Sequence, residues 1–154
     1  MNEPSARHQR LAFWIAHTLA NWIGDDPARG EAGIGIDWTV GDRDVLVPDA
    51  WWTRPERQLA RDAVRAYEYP DLAVEVRSPS TWRHDRGRKR DVYEANGVLE
   101  LWLVDGDSDT VIVDRRSRPG APTFDVRIEL RAGDVLASPL FPGLEIAVAD
   151  LFDR

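Results

Sequence analysis

Glu75 is the residue that demands a chemical explanation. It interrupts an apolar run, Leu72-Ala73-Val74-Glu75-Val76, that otherwise reads as a buried strand. A carboxylate taken out of water is costly unless it has a partner. Asp71 cannot share an ion with it. The two lie on one strand face but about 13 Å apart, at roughly 3.3 Å per residue. A second carboxylate must come from a neighbouring strand. Asp49 is the best candidate, because it ends the preceding strand directly after Pro48, and proline, lacking an amide donor, suits a strand end.

The cation to set beside these carboxylates is Lys89. The chain holds 19 Arg and one Lys. Lysine offers a compact ammonium that can lose its proton, whereas guanidinium stays charged. Residues 82–96 read as a basic helix in which Trp82, Asp85, Lys89, Val92, Tyr93 and Asn96 form one stripe. The stripe holds the largest apolar groups of the segment, so it should face the protein body. Lys89 then points toward the sheet carrying Glu75, as a functional cation or as half of a structural ion pair. Arg83, Arg86 and Arg90 flank the stripe, and Arg88 faces outward. Ser80 or Thr81 can cap the helix start.

The remaining elements must position this group. Residues 6–23 read as an amphipathic helix, with His8 and His17 near its ends as structural histidines. Residues 24–33 read as a polar turn region. Strands are expected at 34–40 and 45–52, joined by a hairpin at 41–44. Residues 53–66 predict a helix capped by Thr53, with Arg54, Arg57, Arg61 and Arg65 on one basic stripe, read as a solvated face with phosphate contact as the alternative. Further strands are expected at 100–105, 110–114 and 124–130, and residues 144–152 form a short apolar segment that caps the core. The Trp51-Trp52 pair predicts core packing, with a homodimer interface as the alternative.

Composition bounds the function. With 154 residues, 43% hydrophobic and 31% charged, the chain predicts one folded domain over 1–154. The net charge of −7 counts against a surface basic all over but permits a local basic groove. The absence of cysteine excludes thiolate metal sites and disulfides and suits a cytoplasmic protein. Three scattered histidines argue against zinc. No membrane-length apolar run and no signal-peptide pattern are present. Neither a G-x-S-x-G elbow nor a phosphate-cradling GxxxxGK[ST] loop occurs.

Several motifs occur in order: VPD at 47–49, PDLAVEVRSPST at 70–81, a helix with Asp85, Lys89 and Tyr93 spaced D-x3-K-x3-Y, GVLELWLVD at 97–105 and SPLFPGLEIAVADLF at 138–152. Together they resemble the Uma2 family, whose members resemble PD-(D/E)XK nucleases. The resemblance runs from about His8 to Phe152. It implies an α/β restriction-endonuclease-like fold with a mixed central β-sheet flanked by helices. It implies Asp49 and Glu75 as ligands of Mg²⁺ or Mn²⁺, with the Val76 backbone carbonyl as a further ligand. The lysine usual two residues after the acidic residue is here Arg77, and Lys89 from the next helix takes its place. Arg77, Arg83, Arg86, Arg88 and Arg90 are then the residues that meet nucleic-acid phosphates, DNA first. The activity implied is metal-dependent phosphodiester hydrolysis; an inactive relative that binds nucleic acid or protein is the alternative. Family members commonly open with a hairpin before the first helix, and this chain starts at the helix, so a sheet edge lacking those strands is expected.

Overall fold

The computed structural model describes residues 4–40, 44–78 and 85–153. Helix α1 spans Ala6–Ile23. It starts where the Ser5 hydroxyl accepts the His8 amide at 3.2 Å, which satisfies one of the free N–H groups of the first turn. Leu11, Ala12, Ile15 and Leu19 form its buried face.

The central sheet has six strands in the order β1-β4-β6-β7-β8-β9. These are β1 Glu31–Gly33, β4 Ala50–Thr53, β6 Leu72–Val76, β7 Glu100–Asp105, β8 Thr110–Arg115 and β9 Val126–Leu130. The sheet is mixed: β6 and β7 run parallel and the other pairs antiparallel. Parallel neighbours need a crossover, and helix α2, Arg90–Ala95, supplies it. Gly97, at φ 81, follows the end of α2 and turns the chain toward β7. A side chain at Gly97 would also meet the Tyr69 hydroxyl at 2.8 Å.

Both faces of the sheet are covered. Leu72, Val74 and Val76 of β6 pack with α1 in a core that includes Trp52, Trp102, Val104 and Val113. Phe141 sits edge-on to Trp22, Trp52 and Trp102 in the same core. On the opposite face Ala73 packs with Tyr93, Val98, Leu101, Leu103, Ile112 and Phe124. Strand alternation therefore sends Glu75 to the α2 face.

A smaller sheet joins β2 Asp37–Val40, β3 Asp44–Leu46 and β5 Arg65–Ala66 in the order β3-β2-β5. Trp38 of β2 and Trp51 of β4 meet edge-on at 5.2 Å, which ties it to the central sheet. Strands β10, Val135–Ala137, and β11, Glu145–Ala147, form a two-stranded ribbon, and α3, Val148–Phe152, closes the core. Trp51 and Trp52 are both buried, so the pair is core.

Three expectations are corrected. Residues 45–52 are not one strand: β3 ends at Leu46 and β4 begins at Ala50, in different sheets. Pro48, without an amide donor, lies in the break. Residues 31–33, expected in a turn, form β1. The helix expected at 53–66 is absent; Thr53 closes β4, Pro55–Arg57 makes a single tight turn, and no longer helix follows. The start of this segment is held instead by Asp71, fully buried next to β6. Its carboxylate accepts the Arg54 amide at 2.9 Å, the Arg54 guanidinium at 3.0 and 2.6 Å, and Arg57 Nη1 at 3.0 Å. Two arginines expected on a solvated stripe thus turn to one buried carboxylate. The hairpin at 41–43 and the helix start at 79–84, with its Ser80 or Thr81 cap, lie outside the described residues.

Removing one partner of a buried ion cluster leaves charge uncompensated, at a cost of about 3–5 kcal/mol. Asp71→Ala leaves guanidiniums that solvent partly reaches, so it should lower unfolding stability in urea melts by less than that, and still by more than Arg61→Ala, at an exposed position.

Candidate active site

Asp49 is placed by the end of a strand ladder. β4 pairs with β6 up to Ala50 opposite Val74. One residue further, the Asp49 amide donates to the Val74 carbonyl at 2.9 Å. The Val76 amide, past the last paired position, would have no strand partner on this side. The Asp49 carboxylate takes that role, with Oδ2 accepting from Val76 N at 2.7 Å. A buried amide must be satisfied, and an aspartate after Pro48 does so without continuing the strand.

Glu75 lies in the middle of the sheet with 5% of its surface exposed. Its two carboxylate oxygens have different partners, both from the crossover. Lys89 Nζ donates to Oε2 at 2.8 Å. The Tyr93 hydroxyl, itself fully buried, donates to Oε1 at 2.7 Å. Lys89 closes a π-helical turn, Asp85–Lys89, that leads directly into α2. Lys89 and Tyr93, four residues apart, share one helical face, as the stripe predicted.

Burial pushes the Glu75 carboxyl up to about 7, with the Asp49 charge adding to the rise, although Lys89 and Tyr93 oppose it. Lys89 and Tyr93 together thus do not offset the cost of burying the Glu75 charge.

Helix α2 is itself fixed by a buried carboxylate. Asp114 of β8, fully buried, accepts Arg90 Nε at 3.0 Å and Arg127 of β9 at 2.7 Å through each of two nitrogens. Arg116 adds a bond from Nε to the Val98 carbonyl at 2.9 Å and another to the Glu94 carbonyl. The residue next to Lys89 is therefore clamped to the sheet.

The arginines expected to meet phosphate are ion-paired where their side chains are described. Arg77 Nη1 lies 2.9 Å from Asp105 and 3.7 Å from Asp107. Arg88, largely exposed, bonds Asp44 of β3 at 2.9 Å. Arg90 is held by Asp114. Arg83 and the Arg86 side chain lie outside the described residues. The structure thus brings together Asp49, Glu75, Val76 and Lys89, and sets Arg77, Arg88 and Arg90 around them in pairs with carboxylates.

Two members of the group were not assigned from sequence. Tyr93 was placed on the inward stripe but given no partner. His8 was read as structural, yet its Nε2 lies 3.3 Å from Asp49 Oδ2, with 10% of the side chain exposed. The Asp49 contact raises the His8 pKa against the effect of burial, and the Val76 carbonyl and the Glu75 charge add to the rise. A signal was present: His8 lies three residues before Leu11 and four before Ala12, on the apolar face of α1.

The profile of Uma2, described as "Putative restriction endonuclease", matches residues 1–149. The chain belongs to the Uma2 family. Its fold is also that of a solved structure described as a "putative nuclease belonging to DUF820" from Anabaena variabilis ATCC 29413, with a TM-score of 0.83 at 19% identity, covering 99% of this chain and 83% of that one. An uncharacterized protein of Synechocystis sp. is 30% identical over 105 residues, 68% of this chain. The chain spans about half the length of that relative, 54%. No described helix is long and apolar enough to cross a membrane.

The Glu75 proton gives a pH test. Its folded pKa of about 7 stands above the ordinary 4.5. A raised folded value means that the stabilising contribution is complete below pH 4.5 and is lost as pH rises through 7. The loss is of order 3 kcal/mol. Thermal melts in EDTA should show wild type losing stability over this window relative to Glu75→Gln; parallel curves would contradict the assignment.

Proposed function

We propose that this Uma2 chain is a metal-dependent endonuclease that hydrolyses nucleic-acid phosphodiester bonds, with DNA as the first substrate to test. The observation that carries the reading is the Lys89–Glu75 pair, with Asp49 bonded to the next residue's amide at Val76 and its charge felt at Glu75.

Among the described residues no group of three or more His, Asp or Glu is arranged to hold a metal ion. The donors present nevertheless fit a hard divalent cation. Two carboxylates and the Val76 carbonyl are oxygen ligands of the kind that Mg²⁺ or Mn²⁺ takes. Among the described residues Asp49 Oδ1 accepts no hydrogen bond, and the cost of burying the Glu75 charge is what a cation relieves. Asp49, Glu75 and the Val76 carbonyl would hold the ion, which when bound lowers the pKa of water and neutralises phosphate oxygens.

The chain's own groups do the rest. Tyr93 fixes one oxygen of Glu75 and orients the carboxylate. Lys89 holds the other oxygen, and its ammonium would stabilise charge developing on the phosphate. Arg77 and Arg88, at the margin of the site, supply phosphate contacts that compete with Asp105 and Asp44. Arg90 serves the site through the Asp114 clamp.

Plasmid nicking with Mg²⁺ and with EDTA tests this. Cleavage should require the metal and fall by about 10²-fold or more in Asp49→Asn, Glu75→Gln and Lys89→Ala. Folded wild type that cleaves neither DNA nor RNA with Mg²⁺ or Mn²⁺ would overturn the reading in favour of a binding module.

A further inference from the structure

We infer that His8 is a positioning residue of this site, which holds the Asp49 carboxylate through Oδ2 and so leaves Oδ1 for the cation. The inference deepens the metal-ion reading and rests on it. Asp49 Oδ2 receives two groups, the Val76 amide at 2.7 Å and His8 Nε2 at 3.3 Å. The Val76 bond alone satisfies the strand end. His8 is therefore not needed to complete the sheet.

Its placement is unfavourable for packing alone. The imidazole occupies the first turn of α1 on the face of Leu11, Ala12 and Ile15, nine-tenths buried. Its Nδ1 is buried, and among the described residues it has no partner with hydrogen-bond geometry. A half-satisfied polar ring on an apolar helix face costs stability relative to an apolar ring of similar shape. What the imidazole supplies is a ring nitrogen 3.3 Å from a carboxylate of the candidate site, beside the Val76 amide on the same oxygen. Groups that hold a metal-binding carboxylate in one orientation typically change metal affinity by about 10–100-fold when removed. The rigid backing comes from α1, which packs along β1, β4 and β6 with Leu11, Ile15 and Leu19 buried.

A structural role and a positioning role part company on substitution. His8→Phe keeps a ring on the apolar face but cannot donate to Asp49. His8→Asn keeps a donor. Mn²⁺ binding to the full chain, followed by electron paramagnetic resonance, and thermal melting of the metal-free protein are measured on both. The expected result is a melting temperature for His8→Phe at or above that of wild type, Mn²⁺ affinity lower by about tenfold or more, and recovery of affinity in His8→Asn. His8→Phe binding Mn²⁺ as wild type does would overturn the inference while leaving the metal reading in place. Wild type that takes up no Mn²⁺ would overturn both. Should His8→Phe not fold, His8→Val compared with His8→Asn carries the same decision.

Discussion

One buried carboxylate sets the terms for the rest of this molecule. Glu75 stands in the second of the six central strands to be flanked on both sides by sheet and on one face by a helix, and a lone charge there would not be tolerated. The crossover between β6 and β7 must therefore return with donors at the correct height. Lys89 and Tyr93 are those donors, one helical turn apart, each on its own oxygen. The parallel β6–β7 pairing, the turn at Gly97 and the Asp114 clamp on Arg90 can all be understood as fixing where that helix lies.

The same device recurs away from the site. Asp71 gathers Arg54 and Arg57, and Asp114 gathers Arg90 and Arg127, each carboxylate fully buried and doubly countered. Guanidinium suits this use because its planar fork meets a carboxylate at two points and stays charged. Glu75 differs, with a lysine and a tyrosine in place of arginines, and its carboxyl rises to about 7. The two arginine-bound carboxylates read as structure. Glu75, whose carboxyl is raised by burial and further by the charge of Asp49, is where a cation and a reaction fit.

Much of this was legible in the sequence, and the reasons for the rest are specific. Helix α1 followed from the spacing of its apolar residues, and β6, β7 and β8 from runs buried on both faces. The rise along a strand correctly separated Asp71 from Glu75, and the helical stripe placed Lys89 toward the sheet. The expected helix at 53–66 failed, and local spacing cannot show that Asp71, beyond its end, holds Arg54 and Arg57. The break between β3 and β4 was marked by Pro48, but strand propensity on either side concealed it. His8 was passed over because the contact that gives it meaning, with Asp49, joins residues far apart in the chain. The restriction-endonuclease-like fold came from the ordered motifs, and the Uma2 profile and the DUF820 structure agree with it.

The most direct measurement is a crystal structure of the chain with Mn²⁺ introduced, located by its anomalous scattering. The account predicts one strong peak bonded to carboxylate oxygens of both Asp49 and Glu75, with the Val76 carbonyl beside it. A structure in which the two carboxylates do not converge, or in which manganese at saturating concentration binds elsewhere and not between them, would contradict it.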